Sequence, residues 1–434
     1  TSESPVRYFF YEKVVKWCSN KIVMAMRVGK ETYYMAAIYL APFYLLVCVY
    51  ILLRSLHWFQ VLHTVFRNVW VCRGIGLVYL FVVFSILIAF MAPASGFRRF
   101  MKLLSNYWLG VLMYTLMTLG IADGLRLLLK YPLRNLGFPG RELLFSNMGT
   151  AVVGAVCAVI ISTVSIYGVL SAGNIHTTKY NISVDKKAGN MKELNVVLVA
   201  DLHLGYNIGC KQMEQMTEKI NEQKSDLVVV AGDIFDNEYE ALDDPERLAE
   251  ILRGIRSKYG VYACYGNHDI QEKILAGFTF GSKEKKESTP EMDEFLEKAG
   301  ITLLRDEYVL IDDSFYLYGR PDYERPGRGI DKRKTPQEIT EGMDVSLPVL
   351  VIDHEPRELQ ELADTGVDVD LCGHTHDGQV FPGNIVIRFF WENPCGYLKK
   401  GNMHNIVTSG VGLFGPNMRV GTKSEICDVS ICFN

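Results

Sequence analysis

Apolar residues along this chain fall into two regimes. Up to about residue 175 they come in four long runs, at 33–53, 74–94, 107–129 and 149–170. Each is close to the ~20 residues needed to cross the hydrocarbon core of a bilayer. Arg54, Arg73, Arg98, Arg99, Lys130 and Arg141 flank the runs, with Tyr and Trp near their ends. That is the flanking pattern of membrane-spanning helices. Helices 33–53, 74–94, 107–129 and 149–170 are therefore expected to cross a membrane, within an α-helical domain over residues 1–175.

From residue 176 the runs shorten. "NVVLVA" (195–200), "DLVVVAG" (226–232), "VYACYG" (261–266), "SLPVLVID" (346–353) and "VDVDLCG" (367–373) read as strands buried on both faces. Helical stretches are expected near 211–223 and 238–257, and a last strand pair near 405–410 and 424–433. Alternation of buried strands with helices predicts an α/β domain over 176–434. Each strand ends in a short polar turn: "DLHLG", "DIFDN", "NHD", "HEP" and "HTHDG". In open α/β sheets ligands bind beyond the carboxyl ends of strands, so these turns are expected to meet.

Charge sharpens the division. Residues 1–175 carry sixteen Lys/Arg and five Asp/Glu; the remainder carries 29 and 44. The net charge of −4 hides a basic membrane half and an acidic second half. An acidic domain repels phosphate backbones, so no nucleic acid partner is expected. The ten cysteines show no CxxC spacing, which argues against a structural zinc site; the six scattered through the second half mildly favour a reducing compartment, with one or two disulfides the alternative. Cys427 and Cys432 fall on opposite faces of one strand and are not expected to pair. The chain starts Thr1-Ser2-Glu3, as expected of a trimmed or renumbered sequence.

Within the basic half, residues 5–31 mix aromatic and apolar positions with Lys/Arg, as an amphipathic surface helix does. "HWFQVLHTVF" (57–66) has a similar interfacial character. Asp123 is the acid inside an apolar run; Arg126, one turn later on the same helix face, is its expected partner.

The candidate chemistry lies in the polar turns. They supply Asp201, His203, Asp233, Asn267, His268, His354, His374 and His376. Carboxylates, an amide oxygen and several imidazoles suit a pair of borderline divalent ions such as Mn, Fe, Zn or Co. One carboxylate with two oxygens can bridge such a pair. Cys372 is read as a buried strand residue. Around the site, Arg320 and Arg419 are each candidates to clamp a substrate phosphate, with a solvated loop the alternative for Arg320. Phe389, Phe390 and Trp391 have three open roles: core, lid, or contact with the bilayer or a lipid tail. Residues 278–290 look like a mobile surface insertion.

"DLH", "GD", "GNHD", "H-x-P" and "GHTH", in that order, resemble the calcineurin-like metallophosphoesterases over residues 176–434. The tail from "GQVFP" to "GPNMRVG" more loosely resembles the membrane-associated bacterial YkuE-type branch. The resemblance implies an αββα sandwich. It also implies Asp201, His203 and His376 on one metal, Asn267, His354 and His374 on a second, and Asp233 bridging them. By the same resemblance His268 would protonate the leaving oxygen or stabilise the phosphoryl group, oriented by Asp269, and Asn267 would also touch phosphate.

The expected function is a membrane-anchored phosphatase or phosphodiesterase with two divalent ions, acting on a phosphate ester or pyrophosphate that is lipid-linked or soluble. The other readings are a membrane transporter or receptor with a regulatory phosphoesterase-like domain, and a catalytically silent scaffold. The multi-pass arrangement is expected to hold the second half at the cytoplasmic face, since the N-terminal tail carries six Lys/Arg.

Overall fold

A computed structural model describes residues 31–131, 141–272, 274–275, 278–279 and 287–434. The amphipathic segment expected at 5–31, apart from Glu31, and most of the insertion expected at 278–290 lie outside the described residues. Four long helices, α1 (Glu31–Leu62), α2 (Val69–Met91), α3 (Gly96–Lys130) and α4 (Asn147–Ala172), dominate the described residues of the first half, with a short helical turn at Arg141–Phe145 before α4. All four are long and apolar enough to cross a membrane. Three of the expected apolar runs fall within a longer helix, and the run 74–94 overruns the end of α2 at Met91 by three residues. Residues 57–62 continue α1 instead of forming a separate interfacial piece. His63 then caps a short 3-10 turn at Thr64–Arg67 by accepting from Val65 N at 3.1 Å.

Asp123 requires a correction. Its carboxylate accepts from Arg54 Nη2 at 2.6 Å and from the Tyr50 hydroxyl at 2.8 Å, both on α1. Arg126 donates instead to Thr150 Oγ1 on α4, at 3.3 Å. Tyr50 and Arg54 lie one turn apart on α1, so two donors reach the acid across a helix-helix contact.

Two six-stranded sheets follow. The first has the order β1 (Ile175–Val184), β12 (Ser424–Phe433), β2 (Glu193–Val199), β3 (Leu227–Ala231), β4 (Val261–Cys264), β5 (Ile301–Leu303). The second has the order β10 (Gly396–Lys400), β11 (Met403–Val407), β9 (Val369–Cys372), β8 (Val349–Asp353), β7 (Phe315–Arg320), β6 (Glu307–Ile311). β2 to β5 run parallel, as do β7, β8, β9 and β11. The side-chain period of two explains the unbroken apolar strands. Val196 and Leu198 face the core between the sheets, whereas Val197 and Val199 face an outer core. That outer core is completed by α5 (Cys210–Gln223), α6 (Pro245–Arg253) and α7 (Pro290–Lys298). On the second sheet Leu350 and Ile352 point inward, and Val349 and Val351 pack on α8 (Leu359–Asp364). The layers are therefore αββα. β1 and β10 lie at sheet edges with mixed exposure, and their polar sequences do not announce strands.

Residues 96–106, between the second and third apolar runs, are helical and extend α3 toward its N-terminus. Ser95 caps α3 by accepting from Arg98 N at 3.3 Å. At 35 residues α3 is about 52 Å long, against ~30 Å of hydrocarbon, so part of it is free to pack elsewhere. Its N-terminal part packs on the α/β half. Arg98 Nη2 meets Glu238 at 2.7 and 2.8 Å, with both side chains buried. Arg99 donates to the carbonyls of Gly205, Tyr206, Ala241 and Leu242. Asn106 Nδ2 donates to Asn207 Oδ1 at 3.0 Å, and the Tyr114 hydroxyl to Phe381 O at 3.1 Å. From α4, Gly168 O accepts from Arg419 N at 2.9 Å. Removing one partner of a buried pair strands the other charge. Arg98→Ala is expected to cost about 3 kcal/mol of stability, read as a lower thermal midpoint in detergent.

Candidate metal centre

The C-terminal ends of five parallel strands from both sheets bring the candidate side chains together. Asp201 and His203 follow β2, Asp233 follows β3, Asn267 and His268 follow β4, His354 follows β8, and His374 and His376 follow β9. Asp201, His203, Asp233, His374 and His376 all have φ between 47° and 74°. Non-glycine residues enter this left-handed region at a cost, and clusters of them mark sites where the backbone is held for a purpose. Packing is equally tight: a Cβ on Gly266 would lie 2.3 Å from Asp233 Oδ1.

Two clusters result. In the first, Asp201, His203 and His376 converge, with the two Nε2 atoms 3.0 Å apart. In the second, His354 Nε2 lies 2.9 Å from Asn267 Oδ1 and 3.1 Å from His374 Nδ1, and Asn267 Oδ1 lies 3.0 Å from His374 Nδ1. Asp233 stands between them. Its Oδ2 is 3.7 Å from His203 Nε2 and its Oδ1 is 3.3 Å from His354 Nε2. Separations near 3 Å between donor atoms are the edges of a polyhedron whose centre sits ~2.1 Å from each, the bond length of N- and O-coordinated divalent ions. The chemistry of the donors fits as well. His354 Nδ1 donates to Ala231 O at 2.9 Å, which leaves the Nε2 lone pair facing the cluster.

The electrostatics are those of a dry, crowded site. Burial, then the neighbouring Asp233, pushes Asp201 up to about 6. Burial also acts on Asp233, but His354, His268 and His203 around it hold its carboxyl well below the usual carboxylate range. Burial lowers His374 to about 3, helped by His354, and lowers His268 to about 4. Burial acts the same way on His203 and His354, but Asp236 beside the first and Asp233 beside the second outweigh it and raise both, so the carboxylates of the site favour positive charge among the imidazoles.

Several expected residues sit differently. Asp269 does not orient His268: its two oxygens accept from Gly266 N at 2.7 Å and Phe235 N at 2.8 Å, pinning two site loops. His268 Nδ1 instead meets Asn237 Oδ1, with Asp236 Oδ1 4.0 Å away. Arg320 is fully buried against Asp353 and Glu358. Arg419 is fully buried too, its Nη2 donating to the carbonyls of Ser409, Gly410 and Gly412. Neither guanidinium is free to clamp a phosphate. Trp391 does stand at the site, its ring 5.2 Å from that of His374. Cys372 is fully buried, as expected of a strand residue.

The residues that sequence reasoning missed form an outer layer. Asp236 Oδ1 is 3.7 Å from His203 Nδ1, and Glu355 Oε1 is 3.5 Å from His374 Nε2. Phe414 packs 4.7 Å from the His268 ring. Asp236 and Asn237 lie in the same "GDIFDN" turn as Asp233, and Glu355 follows His354 directly. Adjacency to a ligand was the available signal; Phe414 had none. Outer partners orient metal-bound imidazoles, and their loss typically costs 10–100-fold in affinity. Asp236→Asn and Glu355→Gln are each expected to weaken Mn²⁺ binding by ~10–100-fold in calorimetric titration.

Comparison with known proteins agrees with this geometry. Residues 194–378 match the family model "calcineurin-like phosphoesterase". A Danio rerio protein described as a transmembrane protein with metallophosphoesterase domain is 29% identical over 293 residues, covering 63% of this chain and 62% of that one. An uncharacterised metallophosphoesterase of Aquifex aeolicus is 28% identical over 267 residues, covering 61% of this chain and 95% of its own length. The UDP-2,3-diacylglucosamine pyrophosphatase LpxG of Chlamydia trachomatis is 23% identical over 239 residues, covering 48% and 70%. The match thus spans less than two thirds of the Danio rerio relative. Four apolar helices, an αββα body and a His/Asp/Asn cluster at its strand ends complete the picture: the chain carries a domain of the calcineurin-like metallophosphoesterase family.

Proposed function

We propose that the protein is a membrane-anchored phosphoesterase using two divalent ions. One observation carries this reading: the two oxygens of Asp233 face the two histidine clusters, one each. Asp201, His203 and His376 would hold one ion, Asn267, His354 and His374 the other, and Asp233 both. A pair of ions there would supply an activated water at neutral pH and offset the charge on the phosphoryl oxygens. The chain's own residues supply the rest. Asn267 sits where its amide can also touch a phosphate oxygen. His268, its Nδ1–H tied to Asn237 Oδ1, leaves Nε2 as a base that would take a proton from the attacking water and pass it to the departing oxygen. Asp269 fixes the loops that carry Asp233 and His268. The reaction is hydrolysis of a P–O bond, with water adding to phosphorus and the alcohol or phosphate leaving.

Residues 1–175 form the membrane domain in this reading and 176–434 the catalytic domain, on the cytoplasmic face. The six basic residues of the N-terminal tail favour that side. The pyrophosphatase relative from Chlamydia acts, by its description, on a diacylated sugar nucleotide. A phosphate or pyrophosphate ester carried by a lipid is the substrate class that best explains four apolar helices beside such a site. The deciding experiment is hydrolysis of an aryl phosphate and an aryl phosphodiester by detergent-purified protein, with Mn²⁺ and after chelation. Turnover that appears with metal and disappears with chelator supports the enzyme. Absence of both turnover and bound metal sinks it in favour of a scaffold.

A further inference from the structure

Between the metal cluster and β10, residues 381–391 run as two short helical turns, Gly383–Val386 and Ile387–Phe389. Their apolar side chains point outward: Phe389 is 81% exposed, Phe390 55%, Ile385 50%, Val386 47% and Phe381 41%. Five large apolar residues in ten positions make a patch that water disfavours and that soluble surfaces rarely carry. Exposed Arg388 sits among them. Aromatic and aliphatic side chains with an interspersed cation are the composition of an interfacial membrane-binding segment.

The placement of the segment identifies what covers it. Phe381 N donates to Val420 O at 2.8 Å, and Phe381 O accepts from the Tyr114 hydroxyl of α3 at 3.1 Å. The residue before Val420 donates its N–H to Gly168 O of α4. The segment is therefore fastened at its base to two helices apolar enough to cross a membrane. At its far end Trp391 meets the His374 ring edge-to-face, with the Arg357 guanidinium 4.9 Å over its own ring. One end touches the membrane helices and the other touches the metal cluster.

We propose that residues 381–391 form a lip inserted into the leaflet that the helices cross. Phe389, Phe390, Ile385 and Val386 sit among acyl chains, and Arg388 lies at the headgroups. A lipid-borne phosphate ester then passes Trp391 to reach the metal centre without leaving the bilayer surface. This rests on the reading that α1–α4 cross the membrane.

The test is photocross-linking in phosphatidylcholine nanodiscs, with a benzophenone amino acid placed singly at Phe389, Ile385, Leu77 or Tyr308. Leu77 is exposed in the middle of α2 and reports whether the helices are in lipid. Tyr308 is exposed on β6, at the edge of the second sheet opposite β10, about 24 Å across five strand spacings. Lipid adducts are expected at Phe389, Ile385 and Leu77, with at least tenfold less at Tyr308. Adducts at Leu77 without any at Phe389 and Ile385 overturn the lip and leave the membrane reading intact. Adducts to protein at Phe389 overturn it in favour of a contact between chains. No lipid adduct at any position overturns the membrane reading and the lip together.

Discussion

Replacing Asp233 by Asn is expected to reduce metal-dependent turnover by well over 100-fold and to lower bound metal from two ions toward one. Loss of an outer partner alone costs ~10–100-fold, and Asp233 turns one oxygen to each of the two clusters. The substitution keeps the shape of the side chain and one oxygen. It removes the second anionic oxygen and with it the charge that balances two cations. Burial of the site magnifies the effect, because no water replaces the lost ligand cheaply. Turnover of an aryl phosphate and metal content by elemental analysis are the two readouts. Unchanged metal content with unchanged turnover would remove Asp233 from its bridging position.

His268→Ala is expected to lower kcat by ~10²–10⁴-fold, the usual range for a lost general acid or base, with metal content kept. The loss should depend on the leaving group. An alkyl phosphate needs a proton on its departing oxygen, whereas a nitrophenyl phosphate hardly does. The variant should therefore lose far more activity on the alkyl ester. An equal loss on both would assign His268 to stabilising the phosphoryl group instead. Asn237→Ala should show a weaker version of the same split, since Asn237 holds the His268 ring through Nδ1.

The body of the fold was legible because each buried strand declares itself as an apolar run closed by a polar turn. Those turns also named the residues that converge, since a parallel sheet gathers the ends of its strands at one edge. What stayed hidden depends on contacts between distant segments. Arg320 looked available in a polar loop; Asp353 on the neighbouring β8 accepts from it at 2.8 Å, and nothing local announces that pairing. Arg419 looked similar, yet the carbonyls of a tight turn surround it. Asp269 is next to His268 in sequence but its carboxylate serves backbone N–H groups. Asp123 chose a partner on another helix over one on its own. Arg98 and Arg99 read as flanking charges because basic residues border membrane spans for topological reasons. Their second use, as donors to the α/β half, requires the folded geometry.

The overhang of α3 makes the two halves poor candidates for separation. A body severed after Ala172 would leave Glu238 with a carboxylate made for Arg98, and would uncover the four carbonyls that Arg99 serves. It would also strip Met418 of the helix it grips: a Cβ on Gly110 would come within 2.3 Å of Met418 Cε, so the two surfaces are in close contact. The strand-end loops around His376 and Val420 would lose the same support. The helices thus act as a splint for the strand-end loops, and an excised body would lose rigidity at the candidate metal centre.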